Sequence, residues 1–404
     1  MDFIRDFLWN AVDKARPHFL KGGKLSKFHS LYDGVETFLF APSETSKREA
    51  HIHDPIDSKR TMIVVVMALV PALLFGIFNV GYQHYLATGQ EFNFFGIIFY
   101  GLLAVLPIII VANVVGLGIE IAWAQFKGGE VHEGFLVTGF IIPLIMPIDT
   151  PLWMIALAVA FAVIFVKEIF GGTGMNIFNV AIAARLFLFF AYPKYMSGDQ
   201  VWVRTDSAFG FGGNGAIDAF SGATPLGQLN TATDSSYIMT NVLGQPITML
   251  DSLLGLIPGS IGETSMIAIA LGAILLLVTK IASWKIMVSV FTGGALLAFI
   301  FNCFGPDTAM AQLPWYKHLM MGGFAFGAVF MATDPVTAAR TETGKWIYGF
   351  MIGMIAILIR VMNLGYPEGM MFAIFFMNMA APLIDKYVVE ANIKKRLKRK
   401  PVQA

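Results

Sequence analysis

Ten predominantly apolar stretches punctuate the chain, near 61–80, 94–122, 134–148, 152–170, 177–193, 264–281, 284–302, 319–333, 345–363 and 369–388. A helix needs about 20 apolar residues to cross the hydrocarbon core of a bilayer, so the pattern predicts ten membrane segments at or near that length. Five precede and five follow a polar interval at 194–262, rich in Gly, Ser, Thr and Asp and far too long for a turn. Loops of that length usually carry function. An odd number of segments per half inserts the two halves with opposite orientation, as in transporter folds built from inverted repeats. The predicted fold is therefore an all-α polytopic membrane protein of about ten transmembrane helices, arranged as two inverted five-helix repeats with broken half-helices.

An internal echo accompanies this division. Trp153 is followed fourteen residues later by Lys167 and then by Gly171-Gly-Thr-Gly-Met-Asn176; Trp346 is followed fourteen later by Arg360 and then by Asn363-Leu-Gly-Tyr-Pro-Glu-Gly369. Both glycine-rich segments interrupt apolar runs at matching places, where such folds expose backbone groups to a substrate. The third and eighth stretches read as half-helices, because Pro143 and Pro147 close the one and Thr333-Asp334-Pro335 the other. Proline removes a backbone donor and disfavours helix at the residue before it, which places Asp334 at a helix end.

Composition sharpens the picture. Apolar residues make up 56% of the 404 positions and charged residues only 14%, with a mean hydropathy of +0.67, which sets the chain outside the soluble globular range. The net charge is only +1, but ten Lys or Arg precede residue 61 and seven follow Asp385, so both termini are expected in the cytoplasm. Lys127, Lys280, Lys285, Arg340 and Lys345 then fall in or beside cytoplasmic connections, and the polar interval faces the periplasm. The division expected is a cytoplasmic segment at 1–60, a membrane repeat at 61–193, the periplasmic loop at 194–262, a second repeat at 263–388 and a basic cytoplasmic tail at 389–404. Residues Phe3 to Ala15 carry apolar side chains at helical spacing, fitting an interfacial helix or a helix docked on a partner. No apolar core of a signal peptide stands near Met1, so the first membrane segment is expected to act as the targeting signal. A single cysteine, Cys303, excludes an internal disulfide framework and an iron–sulfur cluster held by this chain alone.

Within the polar interval lies Ser221-Gly222-Ala223-Thr224-Pro225. Its small residues allow a phosphate and a flat ring to approach the backbone, and Pro225 keeps Thr224 extended with its hydroxyl presented. It resembles the motif that attaches flavin in membrane subunits of redox-driven ion pumps. Taken with Phe165-Val-Lys-Glu-Ile-Phe-Gly-Gly-Thr-Gly-Met-Asn176, Ala183-Ala-Arg-Leu-Phe-Leu-Phe-Phe-Ala-Tyr-Pro193, Phe330-Met-Ala-Thr-Asp-Pro-Val336 and Tyr366-Pro-Glu-Gly-Met-Met371, it makes nearly the whole chain resemble the B-subunit family of sodium-translocating NADH:quinone oxidoreductases. A sister subunit of Rnf-type ferredoxin:NAD oxidoreductases shares the motif but usually lacks a long basic N-terminal segment.

The resemblance implies FMN bound covalently as a phosphoester at Thr224, a noncovalent riboflavin, ubiquinone as acceptor and Na⁺ as the pumped ion. It also implies a bacterial inner membrane, with a second FMN-bearing subunit and an NADH-oxidising flavoprotein as partners. By the same resemblance Asn176 and Asn179 stand near riboflavin, where their amides either bond the ring edge or satisfy broken-helix backbone. Glu133, Gly134, Phe135, Phe187 and Phe189 match positions associated with quinone, where aromatic faces and a carboxylate suit ring reduction coupled to protonation. The sequence departs from the family pattern at Leu117, Met175, Val180 and Leu364, which bears on helix breaks and on one wall of the quinone site.

Glu120, Asp334 and Asp385 lie in or beside apolar runs, where an ionised group is costly and usually functional. They are candidates for the sodium pathway, with pairing to Lys167, Arg185 or Arg360 as the alternative for at least one. Three apparent motifs carry less. Gly210-Phe-Gly-Gly-Asn-Gly215 follows no strand, so it is a loop and not a dinucleotide fingerprint. His51-Ile-His-Asp54 lacks a second ligand pair, and no metal cluster is expected. The tail from Lys394 to Lys400 suits anionic lipid and membrane orientation, and no nucleic acid is expected. A flavin-free channel or carrier on the same scaffold is the competing reading, but it has no use for an attachment threonine in an outer loop.

Overall fold

The structure is a computed structural model. It describes residues 58–127, 134–197, 202–206, 222–232, 234–363 and 365–398, together with 9, 12–14, 16–19, 32 and 36. Glu133, Ser221, Leu364, the 210–215 glycines and the 51–54 histidine segment lie outside the described residues, as does most of the N-terminal amphipathic segment.

Every one of the ten apolar stretches contains helix. In chain order these are α1 (Ser58–Thr88), α2 (Phe94–Lys127), α3 (Phe135–Ile145), α4 (Leu152–Phe161, continued by a π-helical turn over Ala162–Glu168) and α5 (Val180–Ala191). Three short helices follow: α6 (Pro193–Ser197), α7 (Pro225–Thr231) and α8 (Met249–Leu254). The second half comprises α9 (Met266–Val278), α10 (Trp284–Phe304), α11 (Trp315–Met320), α12 (Phe324–Phe326 with a π-helical continuation Gly327–Met331), α13 (Glu342–Met362) and α14 (Met370–Lys398). Among the described residues the only β pairing is an isolated bridge between Thr240 and Pro246.

Among the described residues, only α1, α2, α10, α13 and α14 are long and apolar enough to cross a bilayer unaided. The half-helix reading holds for α3 and α12. It extends to two stretches expected at nearly full length, 177–193 and 264–281, which form helices of 12 and 13 residues. The reason is local. Asn179 caps α5 by accepting from the Ala181 and Ile182 amides, and the helix stops at Tyr192, before Pro193. Ser265 caps α9 through the Ala268 amide, and the chain leaves that helix at Lys280 with φ +58°, a left-handed turn.

The long helices pair as α1 on α2 and α10 on α13, with α14 on α13. Their axes approach through small residues: a Cβ at Gly101 would stand 1.9 Å from the Ile77 carbonyl oxygen, and one at Gly353 2.1 Å from that of Val290. Close contact through glycine is how helices associate where lipid supplies no hydrophobic drive. The halves exchange elements, since α9 packs on α1 and α5 reaches α14. Phe95, Val114 and Phe304 face outward, as a lipid-facing surface requires.

The polar interval is more than a loop. Leu226, Leu229, Ile247, Ile257 and Ile261 are buried in the same apolar core as the membrane helices. Arg204 donates to Asp149 at 3.0 Å and to the Ile148 carbonyl at 2.9 Å, while Nδ1 of His84 on α1 donates to the Arg204 carbonyl. Burial holds the Asp149 carboxyl above its usual range, against the pull of Arg204. The interval therefore contributes to packing.

Candidate functional site

Two cavities, each carrying a few polar groups on a mainly apolar lining, form at opposite ends of the short helices. Residues just before α9 line one, and residues at its end line the other, so the length of the helix separates them by roughly 20 Å.

The larger cavity is a partly open cleft whose empty volume, mouth included, is about 850 Å³. It gathers broken-helix ends: Gly134 and Thr138 from the start of α3, Lys167 from the π turn of α4, Thr173, Asn176 and Asn179 from the break before α5, and Thr333 and Asp334 after α12. The break is shaped by Gly171, Gly172 and Gly174, whose φ values of +117°, +91° and +92° favour a residue without Cβ. The Thr173 hydroxyl oxygen is buried with no partner, a polar atom left for an occupant.

The two asparagines are partly spent on the backbone. Asn176 Oδ1 accepts from the Gly174 amide and its Nδ2 donates to the Phe178 carbonyl; Asn179 caps α5 and donates to Asp334 at 3.4 Å. Asp334 in turn accepts from the Val336 amide at 3.0 Å and the Thr337 hydroxyl at 2.9 Å. Glu120 on α2 is paired with Lys167, both nearly completely buried, so it is no free entry ligand. Asp385 accepts from the Arg340 amide, the Thr341 amide and the Thr341 hydroxyl at 2.7, 3.0 and 2.6 Å, tying α14 to the N-terminus of α13. Its three donors make it a capping carboxylate, a role the apolar pattern gave no means of seeing.

The quinone candidates are not gathered into one pocket. Gly134 lines the large cavity, whereas Phe135 is fully buried with its ring against Gly116, where a Cβ would lie 1.8 Å from the ring. Phe187 and Phe189 stand two to three turns further along α5. Phe187 stacks on Phe161 at 4.3 Å, which stacks on the outward-facing Phe165, and Phe189 packs edge-on against Tyr366. The resemblance put these residues in one group, but helical rise separates them.

The smaller cavity borders Thr224, Ser260, Glu263, Gly322 and Glu368. Thr224 is extended at φ −64°, ψ 156° and caps α7, accepting from the Gly227 amide at 3.0 Å. Gly222 beside it is buried. Gln228 holds the motif in place, donating to the Ala223 and Thr240 carbonyls and accepting from the Thr240 amide. Beneath lies an ionic cluster in which Arg185 and Arg360, named above as pairing candidates, meet Glu368 and Glu263, the last not singled out by the sequence. Arg185 pairs with Glu368 and approaches Glu263 at 3.9 Å, and donates to Ser260 at 2.9 Å. Arg360 donates to the carbonyls of His318, Met321 and Glu368. The signal available was the echo itself: its two basic residues, Lys167 and Arg360, are both buried, one at each cavity.

These residues suit the implied flavins. The large cavity offers an unpartnered hydroxyl, side-chain amides and an ammonium to a ring, and Thr224 offers a positioned hydroxyl beside a small hollow.

A family model described as the NQR2, RnfD, RnfE family matches residues 45–394. Proteins named as the B-subunit of Na(+)-translocating NADH-quinone reductase resemble the chain over nearly its whole length. That of Chromohalobacter salexigens is 44% identical, covering 96% of each chain; that of Ectopseudomonas mendocina is 44% identical, covering 98% of this chain and 99% of its own; that of Klebsiella pneumoniae is 43% identical, covering 97% and 99%. With the family model spanning most of its length, this chain belongs to the NQR2, RnfD, RnfE family.

Proposed function

We propose that the chain is the membrane-embedded B-subunit of a Na⁺-translocating NADH–quinone reductase, carrying electrons towards ubiquinone while Na⁺ is exported. The names of its relatives support the pump, and the basic termini support a bacterial inner membrane with Thr224 on the periplasmic side. Lys167 at one cavity and Arg360 at the other fit two halves of opposite orientation.

The observation that carries the finer reading is the pair of cavities at opposite ends of α9. At one end Thr224 holds FMN through a phosphoester, its backbone fixed by the α7 cap and by Gln228. At the other, Gly134, Thr138, Thr173, Asn176 and Asn179 hold riboflavin. When bound, the two flavins supply the electron transfer; the residues bind and orient them and keep the larger cavity apolar on its remaining walls. Quinone approaches from the bilayer along the Phe165–Phe161–Phe187 stack. Glu120 and Asp334 beside the cavity and Asp385 at the α13–α14 contact supply oxygen ligands for Na⁺. Electrons enter through an NADH-oxidising flavoprotein and a second FMN-bearing subunit. The presence of the basic segment before residue 61 favours this over an Rnf-type subunit.

The test is flavin content of the assembled complex. The denatured polypeptide is expected to retain one covalent flavin, lost in Thr224→Val, and acid is expected to release a second, lost in Thr138→Trp, whose indole fills the large cavity. A denatured wild-type polypeptide without covalent flavin, made together with its attaching enzyme, would overturn the reading of Thr224.

A further inference from the structure

Lys167 stands between two sites. On one side its ammonium pairs with Glu120; on the other it lines the large cavity and lies 5.8 Å from the centre of the Phe135 ring. Both side chains of the pair are no more than 3% exposed. A third charged residue, Glu168, is buried beside them, so the group holds two carboxylates for one ammonium. The second Glu120 oxygen, Oε2, is buried and accepts no hydrogen bond. A surplus carboxylate at low dielectric is costly, and a cation that reaches it relieves that cost. The backbone supports a mobile role for the lysine. It lies near the end of a π-helical turn, a feature frequent at functional sites, and the left-handed glycines follow closely.

We propose that Lys167 is a positioning residue shared between the Glu120 carboxylate and a ring held in the large cavity, so that negative charge gained by the ring draws the ammonium off Glu120 and frees that carboxylate for a monovalent cation. The proposal rests on the reading that an isoalloxazine occupies the cavity. Such a ring, on taking two electrons from the upstream flavoprotein and one proton from water, carries one negative charge. No bond to Lys167 forms or breaks. Reoxidation returns the ammonium to Glu120 and expels the cation. Because the two partners of Lys167 exclude one another, reduction of the ring and cation binding at Glu120 favour each other, and by linkage the effect is reciprocal.

The experiment is a redox titration of the noncovalent flavin in the intact complex at low and high Na⁺, with choline holding ionic strength constant. In the wild type, Na⁺ is expected to make the ring easier to reduce. Lys167→Met is expected to lower its reduced-to-oxidised ratio at least tenfold at fixed potential, about 30 mV for a two-electron couple, and to abolish the Na⁺ effect. Lys167→Arg restores part of both. Glu120→Gln removes the rival for the ammonium, so its ring is easier to reduce than the wild type's at low Na⁺ and indifferent to Na⁺; this variant carries the test alone if Lys167→Met fails to assemble. Unchanged potentials in Glu120→Gln, with the noncovalent flavin present, overturn the proposal and leave the flavin reading standing. Noncovalent flavin retained at wild-type amounts in Thr138→Trp overturns the flavin reading itself.

Discussion

The two ends of α5 and α9 handle buried charge in opposite ways. At the Thr224 end, Arg185 and Arg360 meet Glu263 and Glu368, two positive groups against two negative, with the guanidinium donors directed at carboxylates, carbonyls and Ser260. At the Asn179 end a single ammonium pairs with Glu120 while a second buried carboxylate, Glu168, follows it in the chain, beside an open cavity. Charge balance around planar guanidinium forks makes a lock, with Arg185 committed to Glu368 and Ser260 and Arg360 to three carbonyls. The Glu263 oxygens feel the positive charge without a hydrogen bond. Imbalance around one flexible lysine makes a point that responds to what enters. The first end is suited to hold a covalent group still, and the second to couple a ring to an ion.

The comparison breaks most visibly at Arg185. Arg185→Met leaves Glu263 and Glu368 short of a buried partner, a loss of about 3–5 kcal/mol. The variant is expected to drop out of the assembled complex, or to aggregate at much lower temperature by fluorescence-detected gel filtration. Lys167→Met is expected to assemble, because losing the ammonium leaves its place, on the lining of the larger cavity, to water or a cation against Glu120. Equal losses in both variants would erase the distinction between lock and switch.

Sodium activation sharpens it next. Glu120→Gln is expected to shift the half-activating Na⁺ concentration severalfold while flavin content stays constant. Asp385→Asn is expected to shift it less and to destabilise the α13–α14 contact by about 1 kcal/mol, because the side chain serves as a cap for Arg340 and Thr341. A larger Na⁺ shift from Asp385 than from Glu120 would move the ion path away from the cavity.

Much of this architecture is legible in the chain. All ten apolar stretches hold helix, because apolar runs bounded by Gly, Pro and polar caps leave the backbone few alternatives. The half-helices at α3 and α12 follow from proline at known offsets. What the pattern hides is partnership across distance. Glu120 and Lys167 lie 47 residues apart and Arg185 and Glu368 lie 183 apart, so no local spacing reveals either pair. Phe135 and Phe187 share a chemical character but not a place. Length fails too, since the apolar run at 177–193 and the 12-residue helix inside it differ only by the caps at Asn179 and Tyr192.

At the locked end, Thr224 has a double duty that separates attachment from folding. Thr224→Val is expected to remove the covalent flavin and also the cap on Gly227, about 1 kcal/mol. Thr224→Ser keeps the cap, so its thermal stability is expected to match the wild type whether or not the serine is flavinylated. In-gel flavin fluorescence and a melting curve read the two effects apart.

The smallest expected effect lies on the wall of α5 that faces neither cavity. Phe187 is half-buried, stacked on Phe161 at 4.3 Å, and through Phe161 it continues to the exposed Phe165. A quinone ring arriving from lipid finds a row of aromatic faces there, each contact contributing about 1 kcal/mol. Phe187→Ala is therefore expected to raise the apparent quinone KM by about fivefold, the equivalent of one such contact, while NADH still reduces the upstream flavins. Phe189, two residues on, packs against Tyr366 beside the ionic cluster, so Phe189→Ala is expected to lower stability and leave quinone KM unchanged. The reverse outcome, with KM moved by Phe189 and not by Phe187, would place the acceptor at the locked end, and the division of labour between the two ends of α5 would have to be redrawn.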